Sequence, residues 1–281
     1  MTVSILYRGD LSGCNYDCPY CPFAKRKDSR ATLATDAQQV ARFVEYIKQH
    51  PHYKFKVFFT PWGEGLIRTY YQQAMVQLSH CSNVAKVAIQ TNLSCRLGWL
   101  KKANREKIAL WTTYHPSQVS REAFLDKCRQ LNELSVPYSV GVVGFKETIE
   151  EIETMRTLLP PDKYLWVNAL KKQANYYNEE ERARLIAIDP YVTYNMIHHN
   201  SQGKACRTGE SVISVDGHGT IYRCHFIKEK LGNLYQHDLN TLLQPRPCTN
   251  ATCGCHIGYV HMNDLGLYEV YKGRELERIA N

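Results

Sequence analysis

The residues whose spacing carries the most chemistry are Cys14, Cys18 and Cys21, three thiols in the run Gly13-Cys-Asn-Tyr-Asp-Cys-Pro-Tyr-Cys-Pro22. A tight loop with this spacing can set three sulfurs around one iron–sulfur cluster. A cubane held wholly by protein takes four cysteines. Three leave one iron without a protein ligand, and an open coordination position marks a catalytic metal site rather than a structural one. The expected chemistry is a cluster that binds its substrate or cofactor directly. A zinc knuckle is the alternative, and it would want a fourth Cys or His at a suitable spacing.

The elements that must position this loop follow from the hydrophobic pattern. Strands are expected at residues 3–8, 54–60, 84–91, 108–114, 138–144 and 164–169, which are rich in Val, Ile, Phe and Tyr. Helices are expected between them at 36–49, 120–134 and 148–159, with Ser120 and Thr148 as N-caps. Strands alternating with helices predict βα units and a parallel sheet. Six units are too few for a closed eight-stranded barrel, so the expected architecture is α/β, a partial (β/α)6 TIM-like barrel. A polar connecting segment, 171–204, contains a charged helical stretch at 179–188. From residue 205 the chain turns cysteine-rich, and 211–224 reads as a β-hairpin around Asp216-Gly217. The expected domains are thus a barrel over 1–170, a connection over 171–204 and a small C-terminal domain over 205–281.

The whole chain has 281 residues, 44% of them hydrophobic, enough for a sizeable core. No apolar run reaches the roughly 18 residues of a membrane span, and the start has no charged-then-apolar leader. A cytoplasmic protein is expected. Eleven cysteines in such a chain point to metal rather than to disulfides. The formal charge of +8 is spread along the sequence, with one tight basic run, Lys25-Arg26-Lys27. No nucleic-acid-binding signature accompanies it, so nucleic acid is not the expected partner.

Cys14-x3-Cys18-x2-Cys21, with Tyr20 before the third cysteine, resembles the Cx3CxΦC motif of the radical S-adenosylmethionine (SAM) superfamily. Two further segments are in register with that superfamily. Thr60-Pro-Trp-Gly-Glu-Gly65, at the end of the second strand, is similar to its Gly-Gly-Glu-Pro segment, with Gly63 and Glu64 matching. Trp62 replaces the first glycine and Gly65 the proline. Gly141-Val-Val-Gly-Phe-Lys-Glu147, ending the fifth strand, fits GxIxGxxE with Val143 in the Ile place.

The resemblance implies a [4Fe–4S] cluster on Cys14, Cys18 and Cys21 whose open iron chelates SAM. It also implies reductive cleavage of SAM to a 5′-deoxyadenosyl radical that abstracts hydrogen from a substrate C–H bond. The SAM amine would lie at Gly63-Glu64 and the adenine on Val143, with Tyr20 beside the cluster. Asn92, Thr113 and Asn168, near the ends of strands three, four and six, are candidates for the remaining SAM contacts, as is Thr112. In parallel βα barrels that edge carries the active site. His115, closing the fourth strand, is the candidate substrate or proton-transfer residue.

The later cysteines resemble the SPASM or twitch extension of radical SAM enzymes: one precedes the hairpin, one closes it, Leu231-Gly-Asn-Leu234 follows, and a final group ends the pattern. A full SPASM domain has seven cysteines; here there are five, enough for one auxiliary [4Fe–4S] cluster. The expected ligands are Cys206, Cys224, Cys253 and Cys255, with Cys248 as substitute. Zinc is the alternative occupant. Cys81, Cys95 and Cys128 are expected to be inert thiols. Implied partners are a small-molecule or peptide substrate and an electron donor such as flavodoxin or ferredoxin. The competing class is a non-catalytic, two-cluster electron-transfer protein.

Overall fold

The computed structural model describes residues 1–23, 26–171, 173 and 175–280; Lys25 of the basic run and Lys172 of the connecting segment lie outside them. Six strands form as expected: β1 (Thr2–Arg8), β2 (Lys54–Phe59), β3 (Val84–Thr91), β4 (Ile108–Tyr114), β5 (Tyr138–Gly144) and β6 (Leu165–Ala169). Each pairs in parallel with the next. After β6 come β7 (His199–Asn200), β8 (Val212–Asp216), β9 (Thr220–Cys224), β10 (Ile227–Asn233) and β11 (Thr252–Cys253).

The expected hairpin is β8–β9, but it does not make a sheet of its own. β8 pairs in parallel with β1, Ser4 opposite Val212. One nine-stranded sheet results, ordered β10-β9-β8-β1-β2-β3-β4-β5-β6, while β7 and β11 pair separately. The boundary at residue 205 therefore separates regions of sequence, not separate sheets.

Strand side chains alternate between two faces. Val3, Ile5 and Tyr7 of β1, Val57 and Phe59 of β2, and their counterparts on the other strands form the main core. That face is covered by five helices: α1 (Arg30–Gln49), α2 (Thr69–His80), α3 (Arg121–Glu133), α4 (Ile149–Leu158) and α5 (Glu179–Ile188). Ser29 caps α1 through Thr32 N–H, so the helix starts six residues before the expected position. Ser120 caps α3, whereas Thr148 makes no side-chain cap and ends a 3₁₀ turn instead. Asn178 and Glu181 form a capping box on α5.

The opposite, inner face carries Leu6, Phe58, Ala88, Ala109, Trp111 and Trp166, which cluster with Ile257 and Leu276 from the end of the chain. The C-terminal residues lie on this face. Lys56, inward on β2, pairs with Glu275 at 2.9 Å. Ser139 of β5 donates to the Glu277 carbonyl at 2.8 Å. The buried Arg278 guanidinium stands over Trp166 at 4.2 Å. No helix of the described residues is long and apolar enough to cross a membrane.

Candidate active site and auxiliary cysteines

The cysteine loop leaves the C-terminal end of β1 and is tied down on both sides. Asp28 accepts from Gly13 N–H at 2.6 Å and from the Ser12 hydroxyl at 2.7 Å. Buried Asp36 of α1 accepts from Leu11 N–H at 3.1 Å and from Tyr70 at 2.8 Å. Gln118 accepts from Asp17 N–H at 2.9 Å, fixing the loop to the segment after β4. A short turn, Cys21 N–H to the Cys18 carbonyl at 3.0 Å, brings the second and third cysteines round.

The second motif is built into the same loop. Glu64 N–H donates to the Gly13 carbonyl at 3.1 Å. The buried Glu64 carboxylate accepts from Leu66 N–H (2.9 Å), the Thr91 hydroxyl (2.8 Å) and Asn92 N–H (2.6 Å). Burial pushes this carboxyl up to about 7, opposed by those three hydrogen bonds. Asn92 continues the chain: its Nδ2 donates to Asn15 at 3.1 Å and to Cys14 Sγ at 3.6 Å. Tyr16 N–H also donates to Cys14 Sγ, at 3.4 Å. Two N–H donors aimed at one sulfur suit a thiolate, an acceptor, and fit a cluster ligand. Burial raises the free Cys14 thiol.

Tyr20 packs on Phe145, ring centroids 5.0 Å apart, and its hydroxyl meets His115 Nδ1 at 2.8 Å. Burial lowers His115 to about 4, so its imidazole is neutral at physiological pH. Thr113 and Val143 are half-buried, and Asn168 is exposed, all on the inner face above Trp111 and Trp166. Thr112 faces the other way and donates to the Ser139 carbonyl at 2.7 Å. Gly141 is required by packing, since a Cβ there would stand 1.9 Å from Trp166. Glu147 is exposed.

Among the described residues, no three His, Cys, Asp or Glu side chains stand close enough to hold one metal ion. Over the longer range at which charges act, the five later cysteines group together. Burial, reinforced by Cys206 and Cys248, pushes Cys224 up to about 11. Burial pushes Cys253 up to about 12, with Cys224, Cys255, Cys206 and Cys248 adding. Cys255 has different charged neighbours: Lys171, Arg278 and Arg8. Lys171 reaches the same loop, donating to the Gly254 carbonyl at 2.7 Å. Cys253 therefore has both Cys248 and Cys255 within that range, and the grouping holds all five later thiols. Buried Arg223 scaffolds it, with its guanidinium on the Arg246 and Pro247 carbonyls and on Thr208, whose hydroxyl donates to Cys206 Sγ at 3.2 Å.

No family model and no curated protein matches the chain. Solved structures do. The structure of anSMEcpe with bound AdoMet superposes with a TM-score of 0.56 at 13% identity, covering 99% of this chain and 88% of that one. This chain shares the fold of anSMEcpe. A second anSMEcpe structure, with AdoMet and the Kp18Cys peptide, gives 0.56 at 14% identity over 86% of this chain and 80% of that one.

Several residues that build the site have no motif in the sequence. Asp28, Asp36 and Gln118 hold the cysteine loop, and Arg223 holds the later cysteines. Asp36 carries a signal in retrospect: it is a fully buried acid on a helix face otherwise lined by Val40, Phe43 and Val44. Cys95 and Cys128 sit in the main core, pushed up by burial to about 12.

Proposed function

We propose that the protein is a radical SAM enzyme built on a partial barrel, with Cys14, Cys18 and Cys21 holding a [4Fe–4S] cluster. The observation that carries this reading is the chain of hydrogen bonds from Glu64 through Asn92 to Cys14 Sγ. It joins the two motifs into one site at the C-terminal edge of the strands. The shared fold with anSMEcpe, solved with bound AdoMet, supports the same reading.

A cluster and SAM bound here would supply radical chemistry able to take hydrogen from a substrate C–H bond. Asn92 and Tyr16 orient Cys14 and donate to its sulfur. Glu64 holds the loop end, and the Gly63 backbone there would face the ammonium of SAM. Val143 supplies an apolar surface for adenine, and Thr113 and Asn168 offer polar contacts beside it. His115 and Tyr20, hydrogen-bonded to each other, close the loop toward β4.

An auxiliary [4Fe–4S] cluster on Cys206, Cys224, Cys248 and Cys253, in a twitch-like region from residue 205, would relay the electron of a net oxidation. A fully cysteinyl cluster is suited to that task. The substrate is a peptide or a small metabolite, and the first electron comes from a flavodoxin or ferredoxin.

Anaerobic incubation of reconstituted protein with SAM and dithionite tests the proposal. 5′-Deoxyadenosine is the expected product, absent in Cys14→Ala. None from the wild type, with or without candidate substrates, would overturn the reading. Iron counts on the Cys14/Cys18/Cys21→Ala variant test the auxiliary site: about four irons per chain are expected, and bound zinc in their place rules the cluster out.

A further inference from the structure

A cleft of about 550 Å³ opens on the inner face between the end of β1 and the β9–β10 turn. Arg8, Trp62, Tyr222, Cys224, Lys228 and Lys230 are among its walls. Trp62 precedes Gly63, and Cys224 belongs to the later cysteine group, so the cleft runs between the two cysteine sites.

Arg8 is held in one orientation there. Its Nε donates to the Thr60 carbonyl at 2.7 Å. Its guanidinium lies 3.8 Å over the Trp62 ring, which is backed in turn by Phe23 at 4.5 Å. Among the described residues, neither terminal guanidinium nitrogen has a hydrogen-bond acceptor or a carboxylate partner, and the group whose charge reaches Arg8 is the Cys255 thiol. The acids nearby are already engaged: Asp10 accepts from Gln39, and Asp216 from His218 N–H, Thr220 N–H and Tyr222. Lys228 and Lys230 are exposed on the opposite wall. Trp62 is 40% exposed, a large aromatic surface left open to solvent.

A planar guanidinium fixed through Nε and one face presents its remaining N–H pairs as a fork that matches a carboxylate or a phosphate. Stacking on an indole orients it without consuming those donors. We propose that Arg8 anchors a carboxylate or phosphate group of the substrate, with Trp62 bearing on the adjoining part and Lys228 screening the charge. The anchored substrate then spans the space between the two cysteine sites. The proposal names a substrate class for the radical SAM reading and rests on it for the word substrate, but the anion site stands or falls by itself.

Equilibrium dialysis of the reconstituted holoenzyme with SAM tests it, using hippurate, phenyl phosphate and the neutral hippuramide as probes. Saturable binding is expected for at least one anion, with hippuramide at least tenfold weaker; the two anions tell a carboxylate site from a phosphate site. Arg8→Gln should weaken anion binding tenfold or more, and Arg8→Lys less, because lysine keeps the charge without the fork. Lys228→Glu, an exposed change with no demand on folding, should weaken it severalfold. No saturable anion binding, equal binding of hippuramide, or undiminished binding in both Arg8→Gln and Lys228→Glu overturns the proposal. So does loss of SAM retention by folded Arg8→Gln, which assigns Arg8 to SAM. Anion binding without 5′-deoxyadenosine formation by the wild type would sink the radical reading alone.

Discussion

Gly63 and Gly13 meet backbone to backbone: a Cβ on Gly63 would stand 2.0 Å from the Gly13 carbonyl oxygen. The next residue, Glu64, donates its N–H to that same oxygen at 3.1 Å. Gly63→Ala should therefore push the cysteine loop off the end of β2, because a contact this short cannot be relieved by a flexible side chain. Reconstituted Gly63→Ala is expected to keep the auxiliary irons and lose those on the loop, about half the total. Full iron content with unchanged SAM affinity would contradict this.

Glu64 satisfies three donors, and both its oxygens are used. Glu64→Gln keeps the shape but turns one acceptor into a donor facing an N–H or O–H, whichever way the amide is set. A buried donor left unpaired costs about 1–3 kcal/mol. Urea unfolding should show a loss of that size, together with weaker cluster retention, since Asn92 relays Glu64 to Cys14. A variant as stable as the wild type would show that the carboxylate is not structural.

His115 titrates at about 4 in the fold and near 6.5 when unfolded. Between those values the unfolded chain binds more protons, so stability rises with pH across this window. It is fully present above about 6.5 and lost as pH falls toward 4. His115→Gln removes the term. From pH 7 to pH 5 the wild type should lose more stability than the variant, by on the order of 1 kcal/mol after allowing for solvent screening. His225, His256 and His261 are lowered in the same way and cancel in the comparison. Equal losses would mean that His115 is not held neutral.

Much of this was legible in sequence, for a physical reason. The six strands are short apolar runs fixed by local composition, and the structure reproduces them to within a residue. Local pattern failed where the partner is distant. Nothing in residues 212–216 names β1, some 200 positions earlier, as their neighbour, so the hairpin read as belonging to a separate domain. Helix α2 keeps a helical period at Tyr71, Ala74, Met75 and Leu78, but Arg68 gives it no side-chain cap and so no start signal. The cysteines announced themselves by spacing, while Asp28, Asp36 and Arg223, which hold them, look like ordinary surface charges. Spacing also could not choose between Cys248 and Cys255, because that choice depends on which way the loop 248–255 turns.

Arg223 gives that choice a handle. Its guanidinium holds the Arg246 and Pro247 carbonyls just before Cys248, and Thr208 beside Cys206. Arg223→Met should leave two carbonyls unpaired and release Cys248, so the auxiliary irons fall while the loop cluster persists. Cys248→Ala should do the same and Cys255→Ala should not. Iron and sulfide counts on the three variants decide the ligand set, and equal loss in Cys248→Ala and Cys255→Ala would remove the distinction drawn here.

Residues 275–279, Glu-Leu-Glu-Arg-Ile, lie against the inner face although three of the five are charged. Their charges are tolerated because β2 and β3 turn Lys56 and Lys86 inward, Lys56 to Glu275 at 2.9 Å and Lys86 to Glu277 at 3.9 Å. Leu276, 2% exposed, fills the space beside Phe58, Trp111 and Trp166. Leu276→Ala should cost about 2–5 kcal/mol, as for other fully buried leucines. Deleting residues 275–281 should do more: Arg278 leaves the Trp166 face, both tryptophans gain water, and their emission shifts to the red. If the segment were a loose tail, Leu276→Ala would unfold at the wild-type urea concentration and the tryptophan emission of the truncated chain would not move.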